Sequence, residues 1–121
     1  MLESFTVLLN VEDVSAAIAF YGELFGFEVI QKFEENNSIR WASLSKDQTQ
    51  LMLNAHGERS DHRRRLSDSH LDVVLYIGVT DLDEVWRRVD QKGYSPSQIE
   101  IEGYGLRQFG FRDLDGYEIA V

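Results

Sequence analysis

Apolar residues recur at Val14, Ala17, Ile18 and Tyr21, and again at Leu82, Val85, Trp86 and Val89. This i, i+3, i+4, i+7 spacing gives a helix one apolar stripe, which predicts two helices packed on sheets. Asp13 and Asp81 precede the stripes as N-caps, Asp81 with Glu84 has the form of a capping box, and Gly26 and Gly93 end the helices. A strand-like run stands before each helix, FTVLLNV and VVLYIGV. Three shorter runs follow each helix, near residues 27–33, 38–44 and 49–55, then near 97–102, 106–112 and 116–121, parted by the turn-forming SKDQ and DLDG. The predicted order is β-α-β-β-β, twice.

The duplication is visible residue by residue at an offset of 68, with Val11 against Val79, Asp13 against Asp81, Ile18 against Trp86, Trp41 against Phe109 and Asp47 against Asp115. The chain therefore reads as a single domain, 1–121, made of modules 1–55 and 71–121 joined by a linker, 56–70. The expected class is α+β, with two tandem βαβββ modules forming a curved, cup-like mixed sheet and the helices on its outer face. One helix covers only one face of a four-stranded sheet, so the other face is left for the sibling module, a partner chain or a ligand.

With 121 residues the chain can bury a core unaided. Having no cysteine, it has no disulfide, thiolate nucleophile or thiolate metal site. No apolar run reaches the ~20 residues of a membrane span and the N-terminus lacks the pattern of a secretory leader, so a soluble, cytoplasmic protein without membrane partners is expected. A net charge of −9 disfavours nucleic acid and favours a cationic small molecule. The one basic cluster, HRRRL at 62–66, sits in the linker and reads as a solvated or intersubunit segment. His56, His62 and His70 are the only histidines, and in the same stretch they read either as solvated linker residues or as metal ligands. No G-x-S-x-G, P-loop or G-x-G-x-x-G motif is present.

The opening VEDVSAAIAFYGELFGFEV and the closing GLRQFGFRDLDGYEI resemble the corresponding segments of the vicinal oxygen chelate superfamily, which includes glyoxalase I, extradiol dioxygenases, fosfomycin resistance enzymes and bleomycin resistance proteins. Leu114 stands where those proteins usually have proline. The resemblance covers essentially the whole chain and implies the tandem-module fold. It also implies four metal-ligand places, on the first and last strand of each module, which fall here on Thr6, Met52, Val74 and Ala120. Metal ions of this kind need carboxylate, imidazole or amide donors, which Met, Val and Ala cannot supply and Thr supplies poorly. The expected protein has no metal, no cofactor and no catalytic residue, and is closest in character to the bleomycin resistance group.

Strand alternation places Leu8, Asn10, Gln50, Asn54, Tyr76, Gly78 and Glu118 on the same inward face as those four positions. If SKDQ and DLDG close tight hairpins, Trp41 lies across from Met52, Phe109 from Ala120 and Phe111 from Glu118. The candidate ligand-binding residues are Trp41, Met52, Asn54, Tyr76, Tyr104, Phe109, Phe111 and Glu118. The aromatic members read either as a ligand cup or as core. Tyr104 reads as a groove aromatic or a loop anchor, and Glu118 as a partner for a cation or a solvent-facing carboxylate. Together these suggest a homodimer that binds and sequesters a small organic ligand, cationic or aromatic, as in antibiotic resistance. Two alternatives are a glyoxalase-like lyase or isomerase, and a regulatory or immunity partner that binds a macromolecule.

Overall fold

The computed structural model describes residues 1–55 and 73–121, so the expected linker, with its histidines and arginine run, lies outside the described residues. The chain divides into two compact units, Met1–Arg63 and Arg64–Val121. The architecture is α+β.

The first unit runs β1 (Val7–Val11), α1 (Val14–Phe25), β2 (Glu28–Glu35), β3 (Ser38–Lys46) and β4 (Thr49–Ala55). Its sheet has the order β1-β4-β3-β2, with β1 parallel to β4 and the other pairs antiparallel. Only the parallel pair needs a crossover, and it joins the two ends of the module. As expected, the Asp13 carboxylate caps α1, accepting from Ala16 N at 3.0 Å. The helix buries Val14, Ala17, Phe20, Tyr21 and Leu24. Alternate strand residues Leu9, Val11, Ala42, Leu44, Leu51 and Leu53 complete this core. Their neighbours in sequence point to the opposite face.

Gly26 ends α1 at φ 81°, and a Cβ placed there would meet Lys46 Cε at 3.3 Å. Gly26→Ala is accordingly expected to destabilise the protein by about 1 kcal/mol or more, read from the midpoint of urea unfolding.

The second unit runs β5 (Val74–Tyr76), α2 (Leu82–Gln91), β6 (Glu100–Ile101), β7 (Arg107–Gln108), β8 (Gly110–Arg112) and β9 (Glu118–Ala120). Asp81 caps α2 by accepting from Glu84 N at 3.1 Å. β5 lies parallel to β9 with Leu75 beside Ile119, 68 residues beyond the Val7–Leu51 pair of the first unit. The duplication therefore holds in the register of this parallel pair as well as in sequence.

The second sheet is smaller than expected, with three strands in the order β5-β9-β8 and a separate β6-β7 hairpin. The cause lies at residues 96–97. Pro96 has no N–H to give a ladder, and the Ser97 carbonyl accepts from Trp86 Nε1 at 2.7 Å. The chain there makes one backbone bond to β8, Ser97 N to Gly110 O at 2.9 Å, and then departs into the hairpin. Among the described residues, no helix is long and apolar enough to cross a membrane.

Candidate functional site

In each unit one sheet face is left away from the core. On the first unit it carries Leu8, Asn10, Trp41, Met52 and Asn54, in the register Leu8–Met52, Asn10–Asn54 and Trp41–Asn54. Trp41 lies across from Asn54, not Met52 as expected, and Met52 lies across from Ser43. The turn is shorter than the SKDQ reading required, because Lys46 already pairs with Thr49 and the Thr49 hydroxyl donates to the Lys46 carbonyl at 2.7 Å. A shift of two residues preserves the face, so Trp41, Met52 and Asn54 remain on one side. Phe33, across from Trp41 and 54% exposed, joins them. Asn54 Nδ2 donates to Asn10 Oδ1 at 3.1 Å, and the Thr6 hydroxyl to Gln50 Oε1 at 3.5 Å.

The second hairpin differs from the expected one by a single residue, which reverses the faces. Arg112 pairs with Glu118, Phe111 with Ile119 and Gly110 with Ala120. The Phe109 amide and carbonyl bond those of Val121. Phe109 and Phe111, expected opposite Ala120 and Glu118, instead share the buried side with Ile119 and Val121. Their rings stack with centroids 6.0 Å apart.

The cause is the turn at 113–116. One Asp113 carboxylate oxygen accepts from Asp115 N and Tyr117 N, both at 2.9 Å, and Gly116 takes φ 87°. This geometry makes a three-residue loop with a left-handed last residue. Glu118 does stay on the open face, yet its Oε1 accepts from Arg112 Nε at 2.9 Å with both side chains half-buried. Its charge is already balanced by a protein cation.

The second unit contains a cavity of about 510 Å³ lined by Tyr76, Ile77, Gln108, Arg107, Asp83 and Ala120 among others. Tyr76 follows from strand alternation, and β9 carries Ala120 to the cavity wall. Tyr104 hangs over the same region from the β6-β7 turn: its hydroxyl donates to Gln108 Oε1 at 2.7 Å and lies 3.4 Å from the Tyr76 hydroxyl. The neighbouring Tyr76 phenol, with desolvation and the Glu102 charge, holds the Tyr104 phenol above its ordinary value. Arg107 Nη2 pairs with Asp83 Oδ1 at 3.3 Å, tying the hairpin to the first turn of α2.

Gln108, Arg107 and Asp83 were missed in the sequence. In the register actually formed, Ser43 faces Met52 as Gly110 faces Ala120, so the counterpart of Trp41 is Gln108, not Phe109. The polar alternation of R-Q-F-G-F-R was the available signal: it puts Gln108, Gly110 and Arg112 on one face and the two phenylalanines on the other.

The four places that the resemblance implies for metal ligands carry no carboxylate, imidazole or amide group. Met52 lies in register beside Leu8, Val74 beside Glu118 and Ala120 beside Tyr76. Among the described residues, no three His, Cys, Asp or Glu side chains gather where they could hold a metal ion. Thr6, Met52, Val74 and Ala120 do not fit a divalent cation.

Comparison with known proteins follows the same outline. The family described as "Glyoxalase/Bleomycin resistance protein/Dioxygenase superfamily" matches residues 5–121. Among solved structures, TioX from Micromonospora sp. ML1 is similar at 26% identity and a TM-score of 0.75, over 96% of this chain and 94% of that one. A bleomycin-binding protein complexed with bleomycin matches at 20% identity and a TM-score of 0.70, over 98% and 96% of the two chains. Lactoylglutathione lyase from Agrobacterium tumefaciens matches at 18% identity and a TM-score of 0.68, over 99% and 92%. No curated protein matches the chain significantly in sequence.

Proposed function

We propose, because this chain belongs to the glyoxalase/bleomycin resistance protein/dioxygenase superfamily, that it binds and sequesters a small organic molecule without a metal and without catalysis, as an antibiotic-resistance protein of the binding kind would. The observation that carries the reading is the side-chain chemistry of Thr6, Met52, Val74 and Ala120. A lyase or isomerase of the metal-dependent kind polarises its substrate's oxygen atoms on the ion, and these four residues offer that ion a single weak hydroxyl donor. What the open faces offer instead suits retention of an organic molecule. On the first unit Trp41, Phe33 and Met52 supply apolar area with amide groups beside it, and on the second Tyr76 supplies a ring with amide and hydroxyl groups beside it. The fold is shared by a protein complexed with bleomycin, which supports a binding role.

Elemental analysis of protein purified without added metal decides between binder and enzyme. The expected result is no stoichiometric divalent ion, and a stoichiometric one would establish the enzyme reading instead. A thermal-shift screen of antibiotics and metabolites is expected to find a ligand, which at 100 times its Kd adds about 2.7 kcal/mol to the unfolding free energy.

The same proposal makes the protein a homodimer acting in the cytoplasm. Val29, Ile30 and Phe33 are exposed on an edge strand of the first unit, and Tyr76 and Leu106 on the second. Exposed apolar area of this kind is ordinarily covered by a partner. Sedimentation at micromolar concentration is expected to give twice the mass of one chain, and a stable single-chain mass would reject the dimer.

A further inference from the structure

The hydroxyl chain at the second unit's cavity determines which polar atoms remain for a ligand. Tyr104 donates its only phenolic hydrogen to Gln108 Oε1 at 2.7 Å. In the 3.4 Å contact between the two phenols, Tyr76 is therefore the donor and the Tyr104 oxygen the acceptor. This commits the Gln108 carbonyl oxygen and the hydrogens of both tyrosines. Two capacities are left over, the Gln108 Nε2 hydrogens and the lone pairs of the Tyr76 oxygen, and no other described residue engages either. Both residues line the cavity, and both are hydrogen-bonded to the same Tyr104 oxygen or its hydrogen, which keeps them within reach of one ligand edge.

The charges around the cavity select further. Asp81, Asp83 and Arg107 are its charged lining residues, and Arg107 is held by Asp83 at 3.3 Å. The Asp81 carboxylate remains in excess, in a chain of net charge −9. An anion entering here meets no uncommitted lining cation and one extra negative charge. The remaining wall is largely apolar, with Ile77, Val79, Leu82, Leu106, Ala120 and Val121, and Thr80 is its one further polar side chain.

We propose that this cavity takes a neutral, flat organic ligand by an amide edge: its carbonyl accepts from Gln108 Nε2, its adjacent N–H donates to the Tyr76 oxygen, and its apolar body lies against the aliphatic wall. An amide presents one acceptor and one donor side by side, the complement of what Gln108 and Tyr76 present. A carboxylate presents two acceptors and a charge, so it leaves the Tyr76 oxygen unmatched. This assignment rests on the sequestration reading and names the ligand class for it.

Three probes that share one ring system separate these contributions: 2-naphthamide, 2-naphthoate and 2-methylnaphthalene, titrated into the full chain by ligand-observed NMR. The amide is expected to bind at least about tenfold more tightly than either of the others. Tyr76→Phe and Gln108→Leu, checked for retained fold by circular dichroism, should each bring the amide down to the affinity that 2-methylnaphthalene shows for the same variant. The proposal is overturned if the carboxylate binds as well as the amide, if both variants keep the amide's advantage, or if none of the three probes binds. Any of these leaves the sequestration reading standing, since its own tests are metal content and the wider ligand screen.

Discussion

Phe109→Ala is expected to lower the unfolding free energy by about 3–5 kcal/mol, the range for truncating a buried phenylalanine in a close-packed core. Phe109 is 2% exposed, stacks on Phe111 and is bracketed by both backbone bonds to Val121, so the surrounding strands are poorly placed to collapse into the space it leaves. The measurement is urea or thermal unfolding followed by circular dichroism. The same variant tests the strand register. Were Phe109 on the open face, as the sequence reading had it, its loss would leave stability nearly unchanged and weaken ligand binding instead. A loss of less than about 1 kcal/mol would reject its place in the core.

Asp113→Ala should be almost as damaging, at about 2–4 kcal/mol, for a different reason. The Asp113 side chain is 4% exposed and one of its oxygens accepts from two backbone N–H groups, those of Asp115 and Tyr117. Removing it strands both donors in a buried turn, at roughly 1–3 kcal/mol each before relaxation or water recovers part of the cost. Asp113→Asn keeps an acceptor oxygen and is expected to retain most of the stability. Equal loss in the two variants would mean that the carboxylate acts through its charge and not through these hydrogen bonds. The consequence for the site is direct, because this turn sets which residues of β8 and β9 share the open face.

A weaker effect is expected where the sequence had suggested a functional charge. Glu118 is bonded to Arg112, so Glu118→Gln removes a pair partner as well as a negative charge. Because the pair as a whole is neutral, Glu118 offers a cationic ligand no net charge in the parent, and affinity lost in the Gln variant would reflect the uncompensated Arg112 cation.

Much of this protein was legible in its sequence because helix and strand periodicity, N-caps and self-similarity are local or additive signals. The aspartate caps, both amphipathic helices, the β-α-β-β-β order of the first unit and the 68-residue repeat all follow from residues close together in the chain or from direct comparison of its halves. That Thr6, Met52, Val74 and Ala120 carry no carboxylate, imidazole or amide was equally available, since it depends only on which atoms those side chains contain.

The pairing across the second hairpin was not available in this way. DLDG could close as a four-residue or a three-residue loop, and the choice lies in one carboxylate that bonds two amides and one glycine that takes a left-handed conformation. Strand side chains alternate with a period of two, so this one-residue difference sent Phe109 and Phe111 into the core and brought Gln108 to the cavity. Glu118 shows the same limit: its position on the open face followed from alternation, while its partner Arg112 was fixed only when the register brought the two strands together.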